Sequence, residues 1–381
     1  MSVPRLIALL VVLFAFVPPE IGVSAAAPAG PQVAQSEFAR EAQIAAHFAP
    51  VFYQALGENP RSDYITNFNF DGDWRGDNNW VHAEDKNWPL KAFIYYSVVE
   101  SVTHYFIHYA VFHPRDYKGG ERKGAILSEL IRQGAKRGSK FDPTGLAEEA
   151  VLAHENDMEG CLVVVKKMGA NPTEERVVFV ETLHHNNFSR YYAGEAPQGY
   201  ETVKLEDQRP VLYIEPKGHG IEAFVGDAKQ TGKKDFLRYS FTGTADDANN
   251  RPVCCDLDTT PCRESVGYSL MPMSTTLWAK AKAAPNTTYA ETCDYSQVAL
   301  SVLISKHRSD KKLRVGKVGC AFVGKVGGLN MARPPWGWFD KDERSRLLGR
   351  WFFDPATTVK EDFGLDESFS TTYLRVPFWA R

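Results

Sequence analysis

The sequence lacks a strong charge of either sign, and it has no long apolar segment after its first residues. It has 44 basic and 47 acidic residues, a formal net charge of −3, and no basic stripe interleaved with aromatics, so nucleic acid is not expected as a partner. It also contains no glycine-rich phosphate loop, no G-x-S-x-G nucleophile elbow and no usable Cys–His arrangement. The familiar signatures of nucleotide hydrolases, serine hydrolases and cysteine proteases are therefore missing.

The first 27 residues have the pattern of a secretory signal peptide. Arg5 precedes an apolar run from Leu6 to Val17, and small residues follow up to a cleavage zone at Ser24 to Ala27. The run is shorter than the roughly 20 residues of a spanning helix, and no later segment could span a bilayer. We predict a soluble, secreted or periplasmic protein with a flexible leader over residues 28–36.

Six cysteines in an exported chain permit disulfides. Four of them crowd one region, at Cys254, Cys255, Cys262 and Cys293. The C-C-x6-C spacing fits no common zinc pattern, so disulfides are favoured over a zinc site, with the neighbouring pair bonded to different partners.

The pattern along the chain predicts a mainly β protein, a β-sandwich with peripheral helices. A short amphipathic helix is expected over residues 37–56. Aromatic and β-branched runs then predict a hairpin over residues 92–112 and further strands at residues 161–167, 176–183 and 209–216. We assign residues 37–381 to one large domain, with a helical insertion at about 120–140 and a loop-rich, disulfide-stapled, aromatic extension at about 237–381.

Eight of the ten histidines lie between His82 and His219, a clustering typical of metal and acid–base sites. The segment "HENDMEG" resembles a zinc-protease motif, but Met158 stands where the second histidine is required. In an extended chain Asp157 and Glu159 face the same side, and paired carboxylates suit Mg²⁺, Ca²⁺ or Mn²⁺ better than Zn²⁺. A solvated acidic loop is the alternative.

Two other motifs are interpreted as structural. His104 and His108 are four apart in a predicted strand, about 13 Å from each other, too far to share one ion. We expect them to pack among aromatic neighbours. "DGDWRGDNNW", residues 71–80, resembles the start of a calcium loop, but a tight turn that caps its own backbone is favoured.

Strand ends supply further candidates. His219 lies between two glycines after a predicted strand, and His184 and His185 end another. Since sites are often built where strands end, these histidines are expected near the acidic segment. A hairpin turn with an incidental histidine is the alternative for His219.

Three segments in order resemble the necrosis- and ethylene-inducing-peptide-like proteins and the vacuolar-protein-sorting family numbered sixty-two. They are "YAVFHPRD", "HENDMEGCLVVV" and "RPVLYIEPKGHGIEAF", within about residues 90–225. Met158 and Asn156 replace the tryptophan and second histidine of the cytolysin heptapeptide. The resemblance implies a β-sandwich whose divalent cation is held largely by carboxylates and water.

Carried over residue by residue, the resemblance implies four metal ligands: Asp116, His154, Asp157 and Glu159. His219 matches the histidine at the end of the family's late strand. His184 or His185 matches the family's intermediate histidine, and these two are expected as outer residues beside the ligands.

Two functions follow. The first is recognition of a glycan or membrane glycolipid through the cation, with aromatics such as Trp80, Trp88 and Trp336 packing on sugar faces. The alternative is a metal-dependent hydrolase with Glu159 as general base and His154 or His219 stabilising the leaving group. A purely structural ion is a third reading. The sequence leaves the oligomeric state open.

Overall fold

The computed structural model describes residues 31–117, 153–168, 175–185, 187–232, 234–255, 262, 264–304, 307–312, 315–326, 332–339 and 348–378. The predicted signal peptide and the helical insertion at about 120–140 lie outside these residues. The prediction of a single domain over residues 37–381 stays a prediction.

The described chain is mainly β, as predicted. The strands are β1 Val51–Leu56, β2 Phe93–Ser101, β3 His104–Asp116, β4 His154–Lys166, β5 Arg176–His184, β6 Asn187–Ala193, β7 Glu201–Val203, β8 Leu205–Glu206, β9 Arg209–Ile214, β10 Ile221–Ala223, β11 Asp235–Phe241, β12 Cys254–Cys255, β13 Val266–Pro272, β14 Tyr289–Asp294, β15 Ala299–Ile304, β16 His307–Lys312, β17 Lys317–Phe322 and β18 Tyr373–Arg375.

Most helices in the described ranges are short. They are α1 Pro31–His47, α2 Asn79–His82, α3 Ala228–Thr231, α4 Leu277–Ala283, α5 Arg350–Phe353 and α6 Pro355–Asp362. No helix in the described ranges is both long and apolar enough to cross a membrane.

One large sheet organises the strands. Its main path runs β10-β9-β1-β11-β13-β2-β3-β4-β5-β6-β7, and β14 and β17 form a separate pair. β10, at one end of the path, also lies against β4 and β5. The sheet therefore nearly closes on itself, and the ends of β4, β5, β9 and β10 come together.

The long hairpin and the strand after it form the centre of the fold. β2, β3 and β4 are antiparallel neighbours in uninterrupted register, with Ile107 opposite Val163 and Val98. Because strand side chains alternate, β3 and β4 bury both faces. One face meets α1, β1 and β9, and the other meets the C-terminal aromatic segment. The predicted hairpin is confirmed, as are the predicted strands at β4, β5 and β9.

The predicted helix over residues 37–56 is wrong in its second half. Helix α1 begins at Pro31, inside the predicted leader, and ends at His47. Pro50 disfavours helical backbone in the residue before it. The next six residues are β-branched or aromatic in three positions, and they form β1, which pairs with β9 and β11.

Disulfides in the C-terminal portion are confirmed, while the predicted pairing of Cys255 stays a prediction. Cys254 bonds to Cys262, and Cys293 bonds to Cys320. The partner of Cys293 lies 27 residues away on β17, outside the crowded region, so the second bond joins the separate strand pair across its width. Cys161 is a buried free thiol in β4, as expected for a structural cysteine.

The expected packing of His104 and His108 is confirmed. His104 lies 4.2 Å from Phe369, ring centroid to ring centroid. His108 is fully buried against Trp351 and Phe352, and its Nε2–H donates to the Trp351 carbonyl at 2.9 Å. Neither histidine is near the predicted metal ligands.

Because His108 is buried, we expect the fold to lose stability as the pH falls. Burial lowers its pKa to about 4, so below the ordinary value near 6.5 the unfolded chain binds a proton that the native chain does not. The free energy of unfolding should therefore fall, by about 1.4 kcal/mol for each pH unit, as the pH drops from about 6.5 to about 4. Urea unfolding of His108→Phe should show a shallower slope of stability against pH than wild type in this range. Equal slopes for wild type and His108→Phe would contradict this assignment.

Candidate functional site at the strand ends

The "HENDMEG" segment forms the first half of β4, and its polar side chains divide into two groups. Glu155 and Asn156 are structural. The Glu155 carboxylate accepts the backbone N–H groups of Trp80 and Lys325, both at 2.6 Å. Asn156 adopts a φ of 61°, which asparagine tolerates better than most residues, and its side chain donates to two backbone carbonyls and accepts from Asn79 at 2.6 Å. These contacts fix the strand and leave its other polar residues for a site.

Asp157 is held by His219, which the sequence placed at a strand end. His219 is fully buried. Its Nδ1 lies 2.8 Å from Asp157 Oδ2, and its Nε2 lies 3.2 Å from Asp63 Oδ1. Burial alone would lower the pKa of His219, but the hydrogen bonds to Asp157 and Asp63 outweigh it and raise the pKa to about 9. His219 is therefore a buried imidazolium between two carboxylates.

His113 lies directly on this imidazolium. The two rings stack with centroids 3.7 Å apart and planes 8° apart, and His113 Nε2 is 3.0 Å from the side-chain oxygen of Gln54. Burial and then the charge of His219 hold the pKa of His113 well below its ordinary value. The pair therefore consists of one charged and one neutral ring.

Asp116 and His154 lie opposite each other on β3 and β4. The Nδ1–H of His154 donates to the carbonyl of Asn156 at 2.7 Å. This bond leaves Nε2 to face Asp116 Oδ2 at 3.5 Å. A histidine whose Nδ1–H is bonded to a carbonyl presents its other nitrogen in the orientation seen in metal ligands.

Glu159 is the most electrostatically unfavourable carboxylate of the group. It is buried, and no described residue forms a hydrogen bond with its Oε2. Burial raises its pKa well above the ordinary value, and the charges of Asp157, Glu215 and Asp116 raise it further. A cation among these carboxylates would reverse that effect.

His184 and His185 form a half-buried cluster with Glu215 at the end of β9. One donor atom from each of the three lies within 4.8 Å of the other two. His184 Nε2 is 3.5 Å from Glu215, and His184 Nδ1 is 2.8 Å from Glu222. Burial opposes the effect, but these carboxylates raise the pKa of His184 to about 9, and the two histidines lower the pKa of Glu215.

Gly220 explains how the backbone approaches this cluster so closely. A Cβ at that position would lie 2.2 Å from Cδ2 of His184. The glycine beside His219 is therefore needed so that β10 can pack against the histidine that ends β5.

The structure brings the predicted residues together in pairs: Asp116 with His154, and Asp157 with His219. The charges of Asp157 and Asp116 both act on the carboxyl of Glu159. His184 and His185, predicted as outer residues, are grouped instead with Glu215.

The sequence reasoning missed several participants, namely Asp63, Glu215, Glu222, His113 and Gln54. Glu215 carried a usable signal, because it is the last carboxylate of a predicted strand. Asp63 carried none, since it lies in the 3-10 helix Pro60–Asp63, far from the motif.

The other interpretations have separate outcomes. The loop over residues 71–80 caps its own backbone, with Asp71 Oδ1 accepting from the N–H of Asp73 at 3.2 Å, as expected. Trp336 is fully buried and belongs to the core, so it cannot pack on a sugar face. Trp80 and Trp88 are half-buried.

No protein-family model and no curated protein matches the chain, whereas several solved structures show a weak similarity to it. One, NLPPya in complex with mannosamine, is 14% identical with a TM-score of 0.27, covering 49% of this chain and 68% of that one. Another, described as a toxin fold for microbial attack and plant defense, is 12% identical with a TM-score of 0.25, covering 49% and 70%.

A third is necrosis and ethylene inducing protein 2 from the causal agent of cocoa's witches broom disease. It is 13% identical with a TM-score of 0.22, and the match covers 37% of this chain and 47% of that one. The chain thus spans about half of that protein. These neighbours include a member of the family that the motifs resemble, but at this similarity they assign neither a family nor an activity.

Proposed function

We propose that the chain is a secreted protein that holds a divalent cation at the strand-end cluster and uses it to recognise a glycan. The strand-end cluster consists of Asp116, His154, Asp157, Glu159, His184, His185 and Glu215. The observation that carries the proposal is Glu159, a buried carboxyl with one oxygen that has no hydrogen-bond partner among the described residues, and with a pKa raised by burial and by neighbouring carboxylates. Buried carboxylates that face one another are stabilised by a bound cation.

Two groups of side chains offer donors to the cation, and among the described residues only His184, His185 and Glu215 have donor atoms that all lie within 4.8 Å of one another. Asp116, His154 and Glu159 supply oxygens and one imidazole nitrogen from β3 and β4. His184, His185 and Glu215 supply two imidazoles and a carboxylate. Carboxylates suit Mg²⁺, Ca²⁺ and Mn²⁺, and imidazoles suit the transition metals. Mn²⁺ accepts both donor types, and we propose it ahead of Mg²⁺, Ca²⁺ and Zn²⁺.

The glycan would meet the cation at the end of β3. Asp116 there follows Arg115, whose guanidinium lies 4.7 Å from the ring of Trp80. Trp80 is half-buried, and its ring is 5.9 Å from that of Tyr117. A bound cation takes sugar hydroxyls as ligands, and an aromatic ring beside it packs against the apolar face of the sugar.

Secretion is supported by the redox state of the cysteines. The bonds Cys254–Cys262 and Cys293–Cys320 are of the kind that persists in oxidising compartments. Together with the predicted signal peptide, they support an extracellular or periplasmic protein.

Glu159→Gln tests the proposal. This substitution removes the charge but keeps the shape, so metal-free protein should unfold at the same or a higher denaturant concentration, while Mn²⁺ affinity in calorimetry should fall at least about tenfold. Glu206→Gln, on β8, is the matched control and should bind as wild type does. Unchanged Mn²⁺ affinity in Glu159→Gln would refute the site.

Ligand binding is then measured with mannosamine and neutral hexoses, with Mn²⁺ and after chelation. Binding that requires Mn²⁺ supports recognition. Release of reducing sugar from oligosaccharides would instead favour the hydrolase alternative. A cation that binds without any effect on sugars would leave a structural ion and overturn the recognition proposal.

A further inference from the structure

We infer that the protein has a second ligand site, a pocket that binds a small organic anion carrying a six-membered ring. The pocket is a cavity of about 650 Å³ between the far ends of β3, β4 and β5 and the segment of residues 363–369. It lies at the opposite end of these strands from the strand-end cluster, roughly 40 Å away along β3. We call it the β3–β5 pocket.

A row of basic side chains crosses the wall of the β3–β5 pocket. Lys166 on β4 is directly opposite Arg176 on β5, and on its other side it is opposite His104 on β3. Opposite residues of antiparallel strands point to the same face, and like charges in such pairs are destabilising. An anion placed between Lys166 and Arg176 would remove that repulsion.

The two cations are available to a ligand. Both side chains are exposed, and within the described residues neither forms an ion pair or a side-chain hydrogen bond. Lys167, the next residue, differs because its Nζ donates to Glu100 at 2.7 Å and to the Ser101 carbonyl at 3.2 Å. Lys167 is therefore held by the fold, whereas no described residue pairs with Lys166 or Arg176.

One carboxylate, Asp366, also lines the β3–β5 pocket. Its Oδ1 accepts from the backbone N–H of Ser368 at 2.8 Å and from the hydroxyl of the same residue at 2.5 Å. These two hydrogen bonds hold the Asp366 carboxylate within its own turn. His104 contributes no charge at neutral pH, because burial and then the nearby lysines lower its pKa to about 4.

Aromatic rings form the rest of the wall. Tyr192 and Tyr200 meet edge to face with centroids 5.1 Å apart, and Tyr200 is 43% exposed. Phe369 closes the pocket beside His104. A pocket lined by both an exposed tyrosine ring and a guanidinium takes a ligand with a flat or apolar ring face and an anionic substituent.

The ligand chemistry is therefore a carboxylate or sulfate on a six-membered ring, from either an acidic sugar or an aryl acid. Calorimetric titration with glucuronate and with benzoate distinguishes the two sources. Glucose and benzyl alcohol are the uncharged controls, and inorganic phosphate tests the anion alone. We expect one of the two acids to bind at least about tenfold more tightly than its uncharged analogue.

The double variant Lys166→Gln/Arg176→Gln should lose this binding and unfold at the same or a higher temperature, since the repulsion is gone. Tyr200→Ala should weaken the binding of the ring-bearing acid but leave the binding of phosphate unchanged. Lys91→Gln, which removes one exposed charge elsewhere, should bind as wild type does. Equal affinity in wild type and the double variant, or no binding of either acid by wild type, would overturn the inference. Neither result bears on the cation site, which uses other residues.

Discussion

Replacing His219 by alanine should destabilise the protein by about 3–5 kcal/mol, the range for breaking a buried ion pair by removing one partner. His219 is fully buried, and both its nitrogens face carboxylates, at 2.8 Å and 3.2 Å. Its removal leaves Asp157 and Asp63 in the interior without their cation. Urea unfolding at pH 7 with and without the substitution measures the effect.

Two further variants make the His219 prediction specific. His219→Asn tolerates the φ of 56° at this position and keeps a donor but not the charge, so it should fall between wild type and alanine. His47→Ala, at an exposed helix end, should change little. A loss below about 1 kcal/mol in His219→Ala would show that the imidazolium is not buried between two charged carboxylates.

Gly160→Ala should lower the free energy of unfolding by more than about 3 kcal/mol, which is the upper end of the range for overpacking a core. A Cβ there would lie 2.3 Å from the carbonyl oxygen of Tyr109 and 2.4 Å from the indole ring of Trp338. The carbonyl belongs to the neighbouring strand and cannot move without breaking the ladder. Thermal and urea unfolding of the purified variant measure the loss.

Removing the Trp338 ring distinguishes the two steric contacts that exclude a side chain at residue 160. Trp338→Ala removes the indole contact but leaves the carbonyl, so the double variant Gly160→Ala/Trp338→Ala should remain less stable than Trp338→Ala alone. Equal stability of these two variants would mean that the ring, not the strand backbone, excludes a side chain.

The sequence predicted the centre of the fold well because local signals were strong there. Residues 161–165 of β4 and most of residues 105–112 of β3 are apolar on both faces, and this pattern identifies buried strands regardless of what covers them. The predicted helix over residues 37–56 extends nine residues past the end of α1 and covers the whole of β1, because amphipathic spacing alone takes no account of Pro50. The composition of the C-terminal aromatic segment was visible in the sequence. Its packing on β4 was not, because that packing depends on contacts between residues distant in sequence.

The site was predictable only where one element carried it. Asp157 and Glu159 share a strand, and their alternation was visible in the sequence. Asp63 contacts the imidazole of His219, which lies 156 residues later in the chain. Asp63 is in a turn that has no local signal of a site. Glu215 lies opposite two histidines only because the sheet nearly closes, and closure follows from the whole strand order.

Elemental analysis of the purified protein tests the central claim most directly. Wild type and Glu159→Gln are expressed side by side, dialysed and analysed for Mn, Ca, Mg and Zn. The account predicts about one divalent ion per wild-type chain and a large loss in the variant, with Mn²⁺ preferred when the ions compete. Wild-type protein that is correctly folded and takes up no divalent ion, even after incubation with Mn²⁺, would contradict it.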